Sequence, residues 1–306
     1  MALNPAVTQT QPDSARVAPR IGLVLHDVYL KHLSGNAGHP ERPERLTAIE
    51  SALERTGLLQ TLHRIRPRAA TEEELALAHS PAYLALVRKE LSDLQGFGEL
   101  STGDTLVSPG SLEAARFAAG GVLEAVDNVM AGKANAAFCA VRPPGHHATG
   151  ARGMGFCIFN SVAVAARYIQ QTHGLDRVMI VDWDYHHGNG TQDIFYEDGS
   201  VFYFSSHHFG AYPGTGHPLE TGRANGSGAT LNVPLPPGAD DGQTLEALKS
   251  HLVPAVQRCK LQVGLRGFKI RPRLLQLLVE FRCFNLGEQV AFFFTCAPMS
   301  RYQRFK

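Results

Sequence analysis

Two short clusters in the chain bring together residue types that hydrolytic chemistry uses. One is Arg142-Pro-Pro-Gly-His146-His147-Ala148; the other is Val181-Asp182-Trp183-Asp184-Tyr185-His186-His187-Gly188-Asn189-Gly190. Asp184 and His186 are two residues apart, so at the end of an extended strand both side chains point to one face. A carboxylate and an imidazole converging there suit a borderline divalent metal such as zinc. Asp182 shares their parity and is placed to accept a hydrogen bond from a nearby imidazole. The paired histidines His146 and His147, beside a metal-activated water, are candidates for a general base and its electrostatic partner. A lone His-His pair is usually a surface or capping feature, and Asp-x-Asp-x-His alone can be a capping loop. Two such clusters, each after a strand and each set among glycines, are a stronger signal. Gly188 and Gly190 are expected to supply the positive φ that loops around a metal commonly need.

The elements that must position these clusters read as alternating strands and helices. Ile21–Leu25 and Ala136–Val141 are short apolar runs of the buried-strand type, as are Arg177–Val181 and Val201–Ser205. Helical periods follow Pro43, occupy 111–130 with soft spots at Gly120 and Gly121, and recur over Asn160–Gln171. This alternation predicts a parallel sheet with crossover helices, whose ligands bind at the carboxyl ends of the strands. Both clusters fall at such ends.

The composition narrows the class. The chain has 306 residues, 29 Lys+Arg against 28 Asp+Glu, and 44% hydrophobic residues, enough for one large α/β domain. Its net charge of +1 gives no bulk field for nucleic acid, and no apolar run is long enough to span a membrane. The first 20 residues lack the apolar core of a secretory signal and read as a flexible tail; Arg16 and Arg20 against Asp13 leave a weak transit peptide as the alternative. Five cysteines without a CxxC pair fit a reduced cytoplasmic location. Of 14 histidines, eight lie between residues 146 and 217.

With the motifs GHPERPERL, RPPGHHA, GMGFCIFNSVAVAA, VDWDYHHGNGTQDIFYED, YPGTG and LNVPLPPG in order, the chain resembles the zinc-dependent histone deacetylase and acetylpolyamine amidohydrolase superfamily, in its class II-like branch. The resemblance runs from about residue 21 to about residue 258 and implies a single three-layer α/β/α domain with a mainly parallel sheet, of the arginase and deacetylase type. The implied activity is hydrolysis of an acetyl-amide on a protein lysine, with acetylpolyamine as the alternative substrate and an inactive acyl-lysine or polyamine binder as the alternative role. Neither nucleic acid nor membrane is an implied partner. Residue by residue, Asp184 and His186 match two of three Zn2+ ligands, His147 the general base, His146 its electrostatic partner, and Asp182 the acceptor behind His146. Asn189 stands where other branches place an acid behind the second histidine, which leaves His147 less basic. Phe156 matches one wall of an acyl-lysine tunnel and Tyr212 the opposite one; Asp104 lies where the family grips substrate backbone. Asp182, Asp184, His186, Ser205 and Ser206 match a site for a monovalent cation such as K+.

Around these, Trp183 has core parity, His207 and His208 are satisfied polar residues near the rim, Cys157 packs, and His26, His32 and His39 have no assigned role. The family's third ligand, an Asp beyond the helix over Thr244–Arg258, and its transition-state Tyr have no counterpart: after Asp241 there is no Asp. With two ligands, zinc affinity is expected to fall by orders of magnitude. Glu280, Glu288 and Cys283 are substitutes in principle, with no spacing that favours them. Near residue 260 the composition also breaks. Residues 260–306 hold nine Lys+Arg, two acids, and seven of the 16 Phe. The expected organisation is therefore a tail over 1–20, a deacetylase-like domain over 21–259, and a divergent basic segment over 260–306. The coincidence of the two breaks suggests a changed reading frame or exon there, which removes the last strands and uncovers an apolar sheet edge.

Overall fold

The computed structural model describes residues 20–258 and 292–295. In chain order its elements are β1 (Ile21–Val24), α1 (Glu44–Arg55), β2 (His63–Ile65), α2 (Glu72–Leu75), α3 (Pro81–Ser92), β3 (Gly98–Glu99), β4 (Leu106–Val107), α4 (Ser111–Met130), β5 (Ala136–Cys139), α5 (Ser161–His173), β6 (Val178–Asp182), α6 (Asn189–Phe195), β7 (Val201–His208), β8 (Thr230–Leu235), α7 (Asp241–Ala247), α8 (Val253–Arg258) and β9 (Phe292–Thr295).

Local chemistry sets several boundaries. Thr71 and Glu74 close a reciprocal cap on α2, and Ser80 caps α3 with Pro81 in its first turn. Asn160 caps α5 by accepting from the Ala163 N–H, and Gly174 ends that helix in the left-handed region. The helix expected over 111–130 runs unbroken through Gly120 and Gly121. The helix expected over Thr244–Arg258 is instead α7 and α8 joined by a π-helical turn at Leu248–Leu252.

Beside the antiparallel pair β3-β4, the mainly parallel sheet expected is divided in two: β2-β1-β5, all parallel, and β8-β7-β6-β9, parallel except for β9. The edge of β6 is not bare, because β9 pairs with it antiparallel, Val178 opposite Thr295 through Val181 opposite Phe292. That strand falls within the segment 260–306, whose other residues, with those of 1–19, lie outside the described ones.

Period-2 alternation in β6 builds the layers. Val178 and Ile180 pack with Ile169 of α5 and Phe195 of α6, while Met179 and Val181 pack with Phe204 against Leu248, Leu252 and Val256. Helices thus cover both faces of the sheet in a three-layer α/β/α arrangement. Trp183 is half-buried against the second of these clusters. Among the described residues no helix is long and apolar enough to cross a membrane.

Candidate active site

The two clusters come from different sheets. His146 and His147 follow β5 of the first, and Asp182 to Asn189 run from the end of β6 to the start of α6 in the second. The loops lock together through backbone: the Thr191 N–H donates to the His146 carbonyl (3.0 Å), and Asn160 Nδ2 donates to the Ala148 carbonyl and to Thr191 Oγ1 (both 3.1 Å).

Each histidine of the first pair has its own partner. His146 Nδ1 lies 2.9 Å from Asp182 Oδ2, and the Tyr203 hydroxyl donates to that same oxygen at 3.0 Å. His147 Nδ1 lies 2.8 Å from Asn189 Oδ1, while the Asn189 amide nitrogen points to Met154 Sδ at 3.5 Å. The two rings are 4.0 Å apart. Burial, followed by the charge of His146, pushes His147 down to about 3 despite the bond to Asn189. It is therefore neutral at pH 7. Burial works to raise Asp182, but the charge of His146 and its hydrogen bond outweigh it and hold the carboxylate ionised.

Gly188 sits where Asp182, Tyr203 and His146 converge, and a Cβ there would collide with the Asp182 carboxylate. Its φ is −77°, and Gly190 lies within α6 without a positive φ. The expectation of left-handed glycines is corrected: these two are small because neighbours approach, not because the backbone turns unusually. Positive φ occurs instead at Gly155 (57°) and Phe156 (67°).

Asp184 and His186 point inward together. The His186 N–H donates to Asp184 Oδ1 at 2.7 Å, and His186 Nδ1 lies 3.4 Å from the same oxygen. Burial of Asp184 is opposed by His186 and then by the charge of His146, which bring its carboxyl down to about 2. Asp184 Oδ2 and His186 Nδ1 are both buried with no hydrogen-bond partner. A carboxylate oxygen and an imidazole nitrogen, both buried and without hydrogen bonds, are donor types that a divalent cation takes. They do not complete a shell: among the described residues no group of three His, Cys, Asp or Glu converges to hold a metal. Glu280, Cys283 and Glu288 lie outside the described residues.

The remaining candidates frame this centre. Tyr212 is edge-on to His147 with ring centroids 5.0 Å apart, and 6.1 Å from His186. Phe156 follows Gly155, where a Cβ would collide with the His147 ring. Asp104, in the turn between β3 and β4, accepts from the Gly155 N–H (2.7 Å) and the Tyr212 hydroxyl (3.2 Å), both on Oδ1. Burial opposes these bonds, yet they hold its carboxyl below its ordinary value. Ser205 stands opposite Asp182 across the β6–β7 pair, and Ser206 Oγ is buried without a partner.

Several contributors went unread in the sequence. His39 packs edge-on against Phe156 at 4.6 Å, so a residue given no role touches the expected tunnel wall. His32 likewise lines a buried network in which Arg142 grips Glu41 through two bonds (2.8 and 2.6 Å) and donates to the Tyr29 and His32 carbonyls. The signal was the charged Glu41 in GHPERPERL and the Arg of RPPGHHA, whose sequence separation hid the pairing. His187, unassigned as well, is fully enclosed; burial and then its neighbour His207 push it down to about 4. His207 is buried with both ring nitrogens bonded, to Ser205 Oγ and the Gly216 carbonyl, whereas His208 stacks on Tyr185 and, against expectation, leaves Nδ1 buried without a hydrogen-bond partner. Cys157 is buried and receives the His147 N–H on its sulfur at 3.4 Å.

The comparisons with known proteins bear on the family and the fold. The family model described as histone deacetylase domain matches residues 39–263. Histone deacetylase 10, chloroplastic, of Oryza sativa subsp. japonica is 42% identical over 257 residues, covering 78% of this chain and 58% of that protein. Polyamine deacetylase HDAC10 of Homo sapiens is 43% identical over 206 residues, covering 63% of this chain and 30% of that protein. The crystal structure of the HDA15 HD domain superposes with a TM-score of 0.74 at 36% identity, covering 79% of this chain and 69% of that one. The chain spans between 56% and 66% of the length of its rice, Arabidopsis thaliana and Archaeoglobus fulgidus relatives. With the domain matched over most of its length and the same three-layer fold, the chain belongs to the histone deacetylase domain family.

Proposed function

We propose that the chain carries a zinc-dependent amidohydrolase site that removes acetyl groups from N-acetyl-lysine in proteins. The observation that carries the reading is the meeting of a backed histidine pair, His146 with Asp182 and His147 with Asn189, with the two unpartnered atoms Asp184 Oδ2 and His186 Nδ1. Zinc held by Asp184, His186 and a third donor from outside the described residues would supply a Lewis acid for the acetyl carbonyl and for water. Asn189 Oδ1 keeps the His147 proton on Nδ1, so Nε2 is free to take the proton of the attacking water and return it to the departing lysine amine. His146, bonded through Nδ1 to Asp182, is placed to stabilise negative charge that develops nearby. No covalent intermediate is involved.

Phe156 and Tyr212 flank the acetyl-lysine side chain in this reading. Asp104 Oδ2 is left to accept from the substrate backbone, because Oδ1 already takes both internal bonds. A K+ ion held by Asp182, Asp184, His186, Ser205 and Ser206, chiefly through backbone carbonyls, would brace the ligand loop. Among the described residues Cys139 and Cys157 form no disulfide, which supports a cytoplasmic setting. The YPGTG rim carries little acid, which favours acetyl-lysine over a cationic acetylpolyamine.

A second reading, a binder of acyl-lysine without turnover, is favoured by one observation: the described residues supply two metal donors rather than three. Incubating the full chain with zinc and an acetyl-lysine peptide, or with acetylspermidine, separates the two. The hydrolase reading expects acetate release, faster from the peptide. Peptide binding without acetate gives the second reading, and neither binding nor release overturns both.

A further inference from the structure

Behind Tyr212 lies a polar cluster, buried at His187, Gln192 and Asn232 and reaching the surface at Thr215, that the reaction described above does not use. Its logic starts at Glu220, whose carboxylate can only accept. Glu220 Oε2 receives Gln192 Nε2 at 2.6 Å and the Gly216 N–H at 3.2 Å. The Gln192 amide nitrogen is thereby turned to Glu220, and its oxygen must face the other way. That oxygen meets Asn232 Nδ2 at 2.7 Å and His187 Nε2 at 3.1 Å. An amide oxygen accepts only, so His187 carries its proton on Nε2. The other nitrogen of the neutral ring, Nδ1, is then a lone pair. It lies 2.7 Å from Thr215 Oγ1, whose hydroxyl must donate to it.

His207 repeats the pattern one residue further along. Its Nε2–H donates to the Gly216 carbonyl at 3.0 Å, which leaves Nδ1 to accept from Ser205 Oγ at 2.9 Å. The two rings stand 4.8 Å apart. Between them they fill the space beside Gly216, whose φ is +87° and where a Cβ would collide with His207. Loop 212–216 is therefore held at Thr215 and Gly216 from the carboxyl ends of β6 and β7, three residues past the ring that stands against His147.

We propose that His187 is a positioning residue, its tautomer set by Glu220 through Gln192, which clamps Thr215 and so holds the Tyr212 ring against His147. The clamp joins the segment bearing Asp184 and His186 to the opposite wall, so the width beside the histidine pair is set from behind. That this width is the width of an acyl-lysine tunnel rests on the function proposed above; the clamp itself does not.

The test uses the full chain labelled with 15N-histidine and 13C-tyrosine. Long-range 15N spectra should show His187 protonated on Nε2 and bare on Nδ1, and Tyr212 ring protons should show cross-relaxation with His147. Thr215→Val should weaken the Tyr212–His147 signal, the Tyr212–Asp104 bond retaining part of it, and Thr215→Ser should restore it. Glu220→Gln lets the Gln192 amide turn, and should scramble the His187 tautomer without touching the loop covalently. A His187 protonated on Nδ1 would overturn the proposal, as would a Tyr212–His147 signal unchanged in Thr215→Val. In a parallel arm, binding of a fluorescent acetyl-lysine peptide should weaken about tenfold in Thr215→Val and little in Thr215→Ser. Wild-type chain that shows the tautomer and the ring contact but binds no peptide would refute the acyl-lysine reading and leave the clamp standing.

Discussion

The imidazole of His147 gives its Nδ1–H to an amide oxygen, Asn189 Oδ1, at 2.8 Å. A carboxylate in that place would favour the imidazolium, whereas the amide leaves burial and the neighbouring His146 to hold the ring at about 3. Replacing Asn189 with Asp should therefore raise the His147 value by about 1–3 units. An NMR titration of the metal-free chain reads the shift directly. A His147 titration unmoved by the substitution would contradict the account of its basicity.

His147→Ala removes the group assigned to proton transfer while leaving the packing beneath it. Turnover on acetyl-lysine peptide should fall by about 10²–10⁴. The melting curve should keep its cooperative shape. Full hydrolysis in the variant would refute the assignment of the base.

Glu41 and Arg142 make a buried ion pair through two bonds, and Arg142 also holds the carbonyls of Tyr29 and His32. Burial works to raise the Glu41 carboxyl, but hydrogen bonds and charge from His32 and Arg142 bring it to about 2. Glu41→Gln leaves the guanidinium buried and uncompensated, at a cost of about 3–5 kcal/mol in urea unfolding. A loss below about 1 kcal/mol would mean that solvent reaches the pair.

His79 is enclosed and bonded as a neutral ring, with Nδ1 toward the Thr149 carbonyl and Nε2 accepting the Asn160 N–H. Burial lowers it from 6.5 to about 4. In the unfolded chain the ring takes up a proton as the pH falls through about 6.5, while the folded form resists until about 4. Stability from this residue is thus complete above about pH 6.5 and drains away between 6.5 and 4, on the order of 3 kcal/mol in all. Urea unfolding of His79→Gln across that window should show a shallower pH slope than the wild type. Equal slopes would place the acid sensitivity elsewhere.

Much of this site was legible because the chemistry-bearing residues are close in sequence and sit just past strands. The parity of Asp182, Asp184 and His186 on an extended strand end, and the placement of His146–His147 after β5, needed only local periodicity. Contacts made across the fold were not legible. Nothing local pairs Glu41 with Arg142, 101 residues away, or sets His39 against Phe156. The glycine expectation failed at Gly188 and Gly190 because sequence marks a glycine without saying whether φ or crowding demands it. The split into two sheets was likewise invisible, since strand periodicity says nothing about which edges meet. His187 was hidden by its neighbour: one side of the adjacent pair looks like chemistry, and the other turns out to hold a loop.

The most direct test of the central claim is the metal content of the purified full chain by elemental analysis after dialysis against trace zinc. The account expects about one zinc per chain, lost when Asp184 and His186 are both replaced with Ala. No retained zinc in the wild-type chain, or zinc that survives the double substitution, would contradict it.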